Sequence, residues 1–343
     1  MTHIETLRSV VAKFLRLPIT NITISLRPPL SHQSNRLYDV YVDGRHLILK
    51  EFLKPEEFSS SPEREYRALK LLAPLDIAPQ PVFYQPQTSD LNPIVIYEFM
   101  DGVMWDRTPP SAAQLAQLAE LWLNIHRVQD DNLWISRGYG NYDDLAERFN
   151  ARFQIYAQWA ADHFPAGLGA VEIWRGFLER CLEVNLRINA MDRMEVFCRA
   201  DPRFANVIQR PDGRLGMVDW EDSGLRDPAM DIADMMNHPN QEDLISEADW
   251  QGFLKPYLAK RQLLDPGIMD RVHLYRFLFP MFNFSGLLGY GIAMANAGKP
   301  DGWQINEMPA NDRLQRFLAR CLAWPEVDFE KELEQAQEFM FFP

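Results

Sequence analysis

Residues 198–233 read CRADPRFANVIQRPDGRLGMVDWEDSGLRDPAMDIA, and this stretch decides the fold. Around it apolar residues recur with helical period; within it that period breaks. Two short apolar runs, about Val207 and about Val218, are joined by the turn sequence Pro211-Asp212-Gly213. The pattern predicts a β-hairpin embedded in a helical region. Asp201 and Asn206 bracket the loop before the first run, and Asp219 stands at the end of the second. A loop and a strand end placed this way present two carboxylates and one amide oxygen to a common point. Hard divalent ions such as Mg²⁺ take that ligand set, with waters and substrate phosphates completing the shell. A carboxylate left free of metal accepts a proton from a substrate hydroxyl.

Upstream, residues 21–30 (NITISLRPPL), 35–44 (NRLYDVYVDG) and 45–53 (RHLILKEFL) carry the β-branched and aromatic enrichment of strands. Asp43-Gly44 reads as the hairpin turn between the second and third. Residues 59–75 predict a helix, with Ser61 as N-cap, Pro62 in the first turn and Leu69 and Leu72 on one apolar face. PIVIYEF (93–99) predicts a short buried strand, and Met100-Asp101-Gly102 after it a linker. Helical spacing then governs 112–128, 145–163, 168–190 and the chain beyond Asp227. The expectation is an α+β chain of two lobes: a small antiparallel β-sheet lobe with one helix over 1–100, and a large, mostly helical lobe with the embedded hairpin over 101–343. The N-terminal MTHIETLRSVVAKFLRL reads as an amphipathic helix with both charge signs, not as a signal peptide.

Composition narrows the function classes. The 343 residues are 47% apolar and 24% charged, the proportions of a globular protein of about two domains. With 35 basic and 48 acidic side chains the net charge is −13, which argues against nucleic acid as a partner. The three cysteines, Cys181, Cys198 and Cys321, form no CxxC pair, so a disulfide framework is not expected and a reducing, cytoplasmic setting fits best. Between Arg276 and Lys299 runs an uncharged stretch long enough to span a bilayer. Pro280, Asn283, Ser285, Gly286, Gly289, Gly291 and Asn296 interrupt it, so buried helices are expected there and no membrane partner. No HExxH and no GxSxG occurs, which removes zinc hydrolase and serine hydrolase readings.

The stretch from 198 to 233 resembles the signature of aminoglycoside phosphotransferase and choline kinase-like proteins. Asp201 and Asn206 have the separation of the H-x-D-x-x-x-x-N motif, Val218-Asp219-Trp220-Glu221 matches its second element, and Asp227-Pro228-Ala229-Met230-Asp231-Ile232-Ala233 matches its D-P-x-x-D-[LI]-A tail. Lys50 in LILKEF matches the family's phosphate-contacting lysine, and Glu65 the helix glutamate that pairs with it. Tyr97–Gly102 matches the linker whose backbone holds adenine, through Glu98 and Met100. His126 falls where the family often ends a helix with Leu-His, and reads as a packed histidine. The resemblance covers most of residues 20–240. It implies a bilobal protein-kinase-like fold and ATP-dependent phosphoryl transfer to a small-molecule hydroxyl. Asp201 is then the base, Asn206 and Asp219 the Mg²⁺ ligands, and Lys50 with Glu65 the phosphate clamp. Asp227 and Asp231 brace the loop.

Two departures stand out. Arg199 replaces the motif's histidine. LSHQSNRLYDV replaces the family's glycine-rich G-G-x-x-N-x-x-[YF]-x-V, matching it at Asn35 and Tyr38, so Ser31, Ser34 and their amides are left to meet phosphate. They keep one rival open, a pseudokinase that binds nucleotide or metabolite without turnover; the large helical lobe keeps a second, a non-catalytic assembly factor. The acceptor is expected among sugars, amino alcohols and aminoglycoside-like molecules. The acidic residues Glu221, Asp222, Glu242, Asp243, Glu247 and Asp249 fit either a cationic acceptor or a solvated surface.

Overall fold

The N-terminal helix α1 (His3–Leu15) opens on a capping box. Thr2 Oγ1 accepts from the Glu5 amide, and the Glu5 carboxylate accepts from the Thr2 amide at 2.6 Å. Its buried face, Leu7 and Val11, packs on a five-stranded antiparallel sheet. The strands are β1 (Ile22–Leu26), β2 (Asn35–Val42), β3 (Arg45–Phe52), β4 (Pro81–Gln85) and β5 (Ile94–Glu98), in spatial order β1-β2-β3-β5-β4. The computed structural model describes residues 2–28, 35–53, 61–105, 108–136, 142–241, 243–296, 304–305, 308–322 and 341–342.

The turn between β2 and β3 has Asp43 and Gly44 both at positive φ (47° and 76°), the backbone of a tight hairpin turn. Tyr38, Val40, Leu47, Leu49, Ile94 and Ile96 form one core with α1. The helix α2 (Ser61–Leu72) packs against β4 and β5 with Ala68, Leu69 and Leu72 buried. Side chains alternate faces along a strand, so Lys50 points away from the core that Leu49 joins, while Glu51 returns to it. There Glu51 accepts from the Tyr38 hydroxyl and the Asn92 amide, both at 2.9 Å. Helix α1 thus joins the expected 59–75 helix in the N-terminal region, and β4 is a strand that the sequence pattern left unassigned.

Beyond the linker, β6 (Val103–Met104), β8 (Val207–Gln209) and β9 (Leu215–Met217) form a three-stranded sheet, while β7 (Val196–Cys198) pairs with β10 (Gly224–Arg226). β8 and β9 are the embedded hairpin, with Gly213 at φ 82° in its turn. The helix α3 (Ala112–Ile125), capped by Ser111 and Gln114, lies against β9. These elements, up to Leu225 in β10, belong to one compact unit made of residues 1–137, 196–225 and 247–257.

The second compact unit is made of residues 138–195, 226–246 and 258–343. It contains the helices α4 (Tyr142–His163), α5 (Leu168–Asn189), α6 (Pro228–Asn237), α8 (Ile268–Asn296) and α9 (Ala310–Leu322); α7 (Gln251–Arg261) runs across the division. As far as Asn296 the uncharged stretch belongs to the single 29-residue helix α8, which continues through Pro280. By length and composition α8 is the one described helix able to cross a membrane. It packs against α4, α5, α6 and α9 with 61% of its most apolar window buried, as a core helix does. Asp227 caps α6 by accepting from the Ala229 amide at 2.9 Å. Its carboxylate also receives the fully buried Arg271, whose Nε lies 2.8 Å away, and Arg271 reaches Asp265 at 2.6 Å. Asp231 and Asp234 flank Arg226 in the same unit.

Candidate active site

Lys50 sits at the centre of the site. Because β3 is the middle strand and both its faces are covered, the ammonium is almost wholly buried. It donates to Glu65 Oε2 of α2 at 2.7 Å, lies 2.9 Å from Glu221 Oε2, and also donates to Asp219 Oδ1. Burial works against its charge, but Asp219, Glu221 and Glu65 outweigh burial and raise its pKa well above the ordinary ammonium value. Burial pushes the Glu65 carboxyl up to about 7 against the pull of Lys50, because Asp219 and Glu221 crowd it with like charge. For Asp219 burial acts upward too, yet the Lys50 ammonium and the Arg199 guanidinium hold it below the usual carboxylate range.

Asp219 leaves the strand β9 through a backbone at φ 67°, a left-handed conformation that Asp tolerates better than most residues. Ala200, just before Asp201, is also left-handed at φ 62°. Alanine has no such tolerance, and strain of this kind gathers where a loop must aim particular side chains. The loop is tied to the hairpin by its backbone, the Val218 amide donating to the Asn206 carbonyl at 3.0 Å. That bond brings Asn206 beside Asp219, with Nδ2 3.5 Å from Oδ2. Asp201 pairs with the Arg203 guanidinium at 3.2 Å. Arg199, buried in place of the motif's histidine, donates to the Val218 carbonyl at 3.2 Å and lies 5.3 Å from the Trp220 ring centre. It therefore holds the backbone next to Asp219.

The expected pairs come together in one unit: Lys50 with Glu65, and Asn206 with Asp219. Asn35, at the start of β2, donates to Glu221 at 2.9 Å. Ser31 and Ser34 lie outside the described residues, as does Glu242. Glu98 and Met100 border a cavity of about 380 Å³ on the linker, walled also by Asp76, Pro79, Gln80 and Arg210; neither Lys50 nor Glu65 lines it. The Glu98 amide is already spent on the Gln80 carbonyl and the Phe99 amide on the His46 carbonyl. His126 is a buried packing residue, its Nδ1 2.8 Å from the Tyr257 hydroxyl.

The sequence leaves Glu221 open between a cationic acceptor and a solvated surface; the structure places it on Lys50. The carboxylate oxygens of Glu65, Asp219 and Glu221 approach within 4.8 Å of one another. Glu65 Oε1 is buried with no hydrogen-bond partner. Several carboxylates around one ammonium leave excess negative charge, and hard oxygen donors are what a magnesium ion takes. Asp219, with the Asn206 side-chain amide beside it, offers donors of that kind and fits a divalent cation.

Residues 25–272 match the phosphotransferase enzyme family. No curated protein matches the sequence. Among solved structures, a choline kinase of Streptococcus pneumoniae superposes with a TM-score of 0.64 at 16% identity, over 94% of this chain and 100% of its own. That choline kinase has also been solved with AMP. An ethanolamine kinase of Plasmodium vivax gives 0.58 at 16% identity, over 90% of this chain and 85% of its own. A spectinomycin phosphotransferase, solved with ADP and spectinomycin, gives 0.56 at 11% identity, over 87% and 93%. At these identities the likeness is one of fold, the protein-kinase-like fold with an antiparallel N-terminal sheet and a helical C-terminal part. With its family match running from the first strands through the hairpin and into α8, the chain belongs to the phosphotransferase enzyme family.

Proposed function

We propose that the protein is an ATP- and Mg²⁺-dependent kinase that phosphorylates a hydroxyl of a small molecule: a sugar, an amino alcohol or an aminoglycoside-like compound. The observation that carries this reading is the buried Lys50 held at 2.7 Å by Glu65 and reaching Asp219 in the same cluster. A lysine so encased is costly to build and has no folding purpose that an apolar residue would not serve as well. As the anchor of a phosphate-and-metal site it has one.

In this reading residues 1–100 are the nucleotide lobe and 101–343 carry the catalytic loop and acceptor-binding helices. Lys50, kept in place by Glu65, neutralises phosphate charge. Ser34 and Asn35 belong to the nucleotide loop, and the linker at Glu98 and Met100 receives adenine through its backbone. Because the Glu98 and Phe99 amides are occupied, the Met100 amide is the donor left for the ring. Asn206, through its Oδ1, and Asp219 would hold Mg²⁺, which when bound neutralises charge on the phosphates. Asp201 orients the acceptor hydroxyl and takes its proton as the oxygen bonds to the γ-phosphorus. The bond from that phosphorus to its bridging oxygen breaks, and its electron pair stays on ADP. Positioning and electrostatics carry most of the rate. The expected partners are ATP and the acceptor, with no nucleic acid and no membrane, in the cytoplasm.

The test is an ADP-formation screen with MgATP across amino alcohols, aminoglycosides, sugars and nucleosides. An acceptor-dependent rate is expected, and Asp201→Ala is expected to cut it by about 10²–10⁴-fold. An unchanged rate in that variant sinks the base assignment. The pseudokinase reading is favoured by Arg199 in place of histidine. It takes over if MgATP binds and no acceptor raises ADP formation.

A further inference from the structure

Helix α2 carries Glu65 into the Lys50 cluster, and two arginines fix where that helix lies. Arg64 and Arg67 are three residues apart and so share one side of α2. Both bind backbone carbonyls. Arg64 donates through one terminal nitrogen to the Ile135 carbonyl at 2.8 Å and to the Ser223 carbonyl at 3.3 Å. Arg67 donates to the Asn132 carbonyl at 2.7 Å, and its guanidinium lies 4.4 Å from the Trp134 ring centre. The Trp134 indole closes the junction by donating to the same Ser223 carbonyl at 2.7 Å. Residues 132–136 are in turn joined to the chain after Ser223. The Leu225 amide donates to the Trp134 carbonyl at 2.6 Å, and the Ser136 amide to the Leu225 carbonyl at 3.0 Å. The two segments run so close that a Cβ at Gly224 would meet the Trp134 carbonyl oxygen at 2.5 Å.

Ser223 closes the turn that begins beside Asp219. Its amide and its hydroxyl both donate to the Trp220 carbonyl, at 3.2 and 2.7 Å. Arg64 therefore ties the helix that bears Glu65 to the turn that bears Glu221 and follows Asp219. Those three carboxylates repel one another. Asp219 and Glu221 are among the charges that raise the Glu65 pKa, so charge drives the helix and the turn apart. The apolar face of α2 is buried on β4 and β5, and such burial has no direction of its own. Hydrogen bonds to three carbonyls do have one, and they hold the helix at a set distance from the turn. The junction is polar throughout: Ile135 offers its carbonyl while its side chain is 62% exposed.

We propose that Arg64 is a positioning residue for phosphoryl transfer, holding helix α2 against the turn after Asp219, with Trp134 and Arg67 in support, so that Glu65 keeps Lys50 aimed. The proposal rests on the kinase reading above. Arg64 touches neither nucleotide nor acceptor and acts through Glu65. Its loss leaves Lys50 with carboxylate partners but misaligned toward the phosphates, so the effect falls on ATP use and spares the acceptor.

The experiment compares wild type, Arg64→Ala, Arg64→Lys, Glu65→Gln and the double variant Arg64→Ala with Glu65→Gln by acceptor-dependent ADP formation, and by amide hydrogen exchange of the ligand-free proteins. Arg64→Ala is expected to lose about 10–10²-fold in kcat/KM for ATP, with KM for ATP raised and KM for the acceptor unchanged. A partly unfolded chain would instead lose kcat alone, in proportion to the unfolded fraction. Arg64→Lys restores a donor and should recover part of the loss. In the double variant the two losses should not multiply, because one residue acts through the other. Exchange in Arg64→Ala should quicken in α2 and in residues 220–225 together and stay at the wild-type level in α1. An Arg64→Ala variant with wild-type kinetics overturns the proposal and leaves the kinase reading standing. So do losses that multiply, which mark a separate structural role, and so does unchanged exchange in both segments. A wild type with no acceptor-dependent turnover overturns the kinase reading, and the positioning role falls with it.

Discussion

Asp219→Asn separates the metal site from the fold better than any alanine variant. The backbone at Asp219 is left-handed at φ 67°. Alanine there adds about 1–2 kcal/mol of strain, whereas asparagine tolerates the conformation and keeps the side-chain shape. The substitution removes one negative charge from the cluster. Lys50 retains Glu65 at 2.7 Å and Glu221 at 2.9 Å, so the ammonium stays paired. Repulsion on Glu65 is relieved as well, since Asp219 is one of the charges that raises its pKa. Loss of one contact against relief of one repulsion leaves a net cost of about 1 kcal/mol. The effect on ligand is of another size. At a ligand concentration of about 100 times Kd, binding stabilises a protein by about 2.7 kcal/mol, which is a rise of about 5 °C in the unfolding midpoint. The assay is thermal unfolding with ATP alone, with Mg²⁺ alone and with both. Wild type is expected to show the rise with both together, and Asp219→Asn to lose it while its ligand-free midpoint moves little. A variant that keeps the full magnesium-dependent rise refutes Asp219 as a metal ligand. A ligand-free collapse of more than about 10 °C refutes the claim that Lys50 is held without it.

Glu65 makes the ligand-free protein sensitive to pH. Its carboxyl gives up its proton near 4.5 ordinarily and near about 7 when folded, so the folded state binds more protons between those values and stability falls as pH rises through that window. The slope amounts to up to about 3 kcal/mol; Glu65→Gln should flatten it in urea titrations at pH 5 and pH 8, and an unchanged slope points to another group. In the helical unit, Arg271→Met leaves buried Asp227 and Asp265 without their cation. A loss of about 3–5 kcal/mol is expected from chemical denaturation. A loss under about 1 kcal/mol contradicts the reading of this tail motif as scaffold.

Legibility differed from residue to residue. Asp43-Gly44 was readable as a hairpin because only a few residues accept positive φ, and the demand is local. The loop from Asp201 to Asn206 was readable because a turn followed by a strand fixes the spacing of its ends. Strand β4 was not, since it opens on Pro81 and its half-buried residues show no clear alternation. Arg203 was passed over because an arginine in a loop has many possible fates until its partner is known. Glu221 stayed open between an acceptor contact and a solvated surface because its chemistry, a carboxylate, was visible while its neighbours were not. Arg199 read as a departure; in three dimensions its bond to the Val218 carbonyl gives it a definite post.

By itself, then, the sequence determined the class of the chain: an acidic globular protein with an N-terminal sheet, a helical remainder and a hairpin flanked by metal-type ligands. Those features follow from periodicity, turn chemistry and spacing, which act over a few residues. Tertiary structure alone decided which charges meet. Lys50 and Asp219 are 169 positions apart, and Asn35 and Glu221 are 186. No local rule relates them. They are joined because β3 is the central strand, because alternation turns Lys50 away from the α1 core, and because the hairpin delivers Asp219 and Glu221 to that same face.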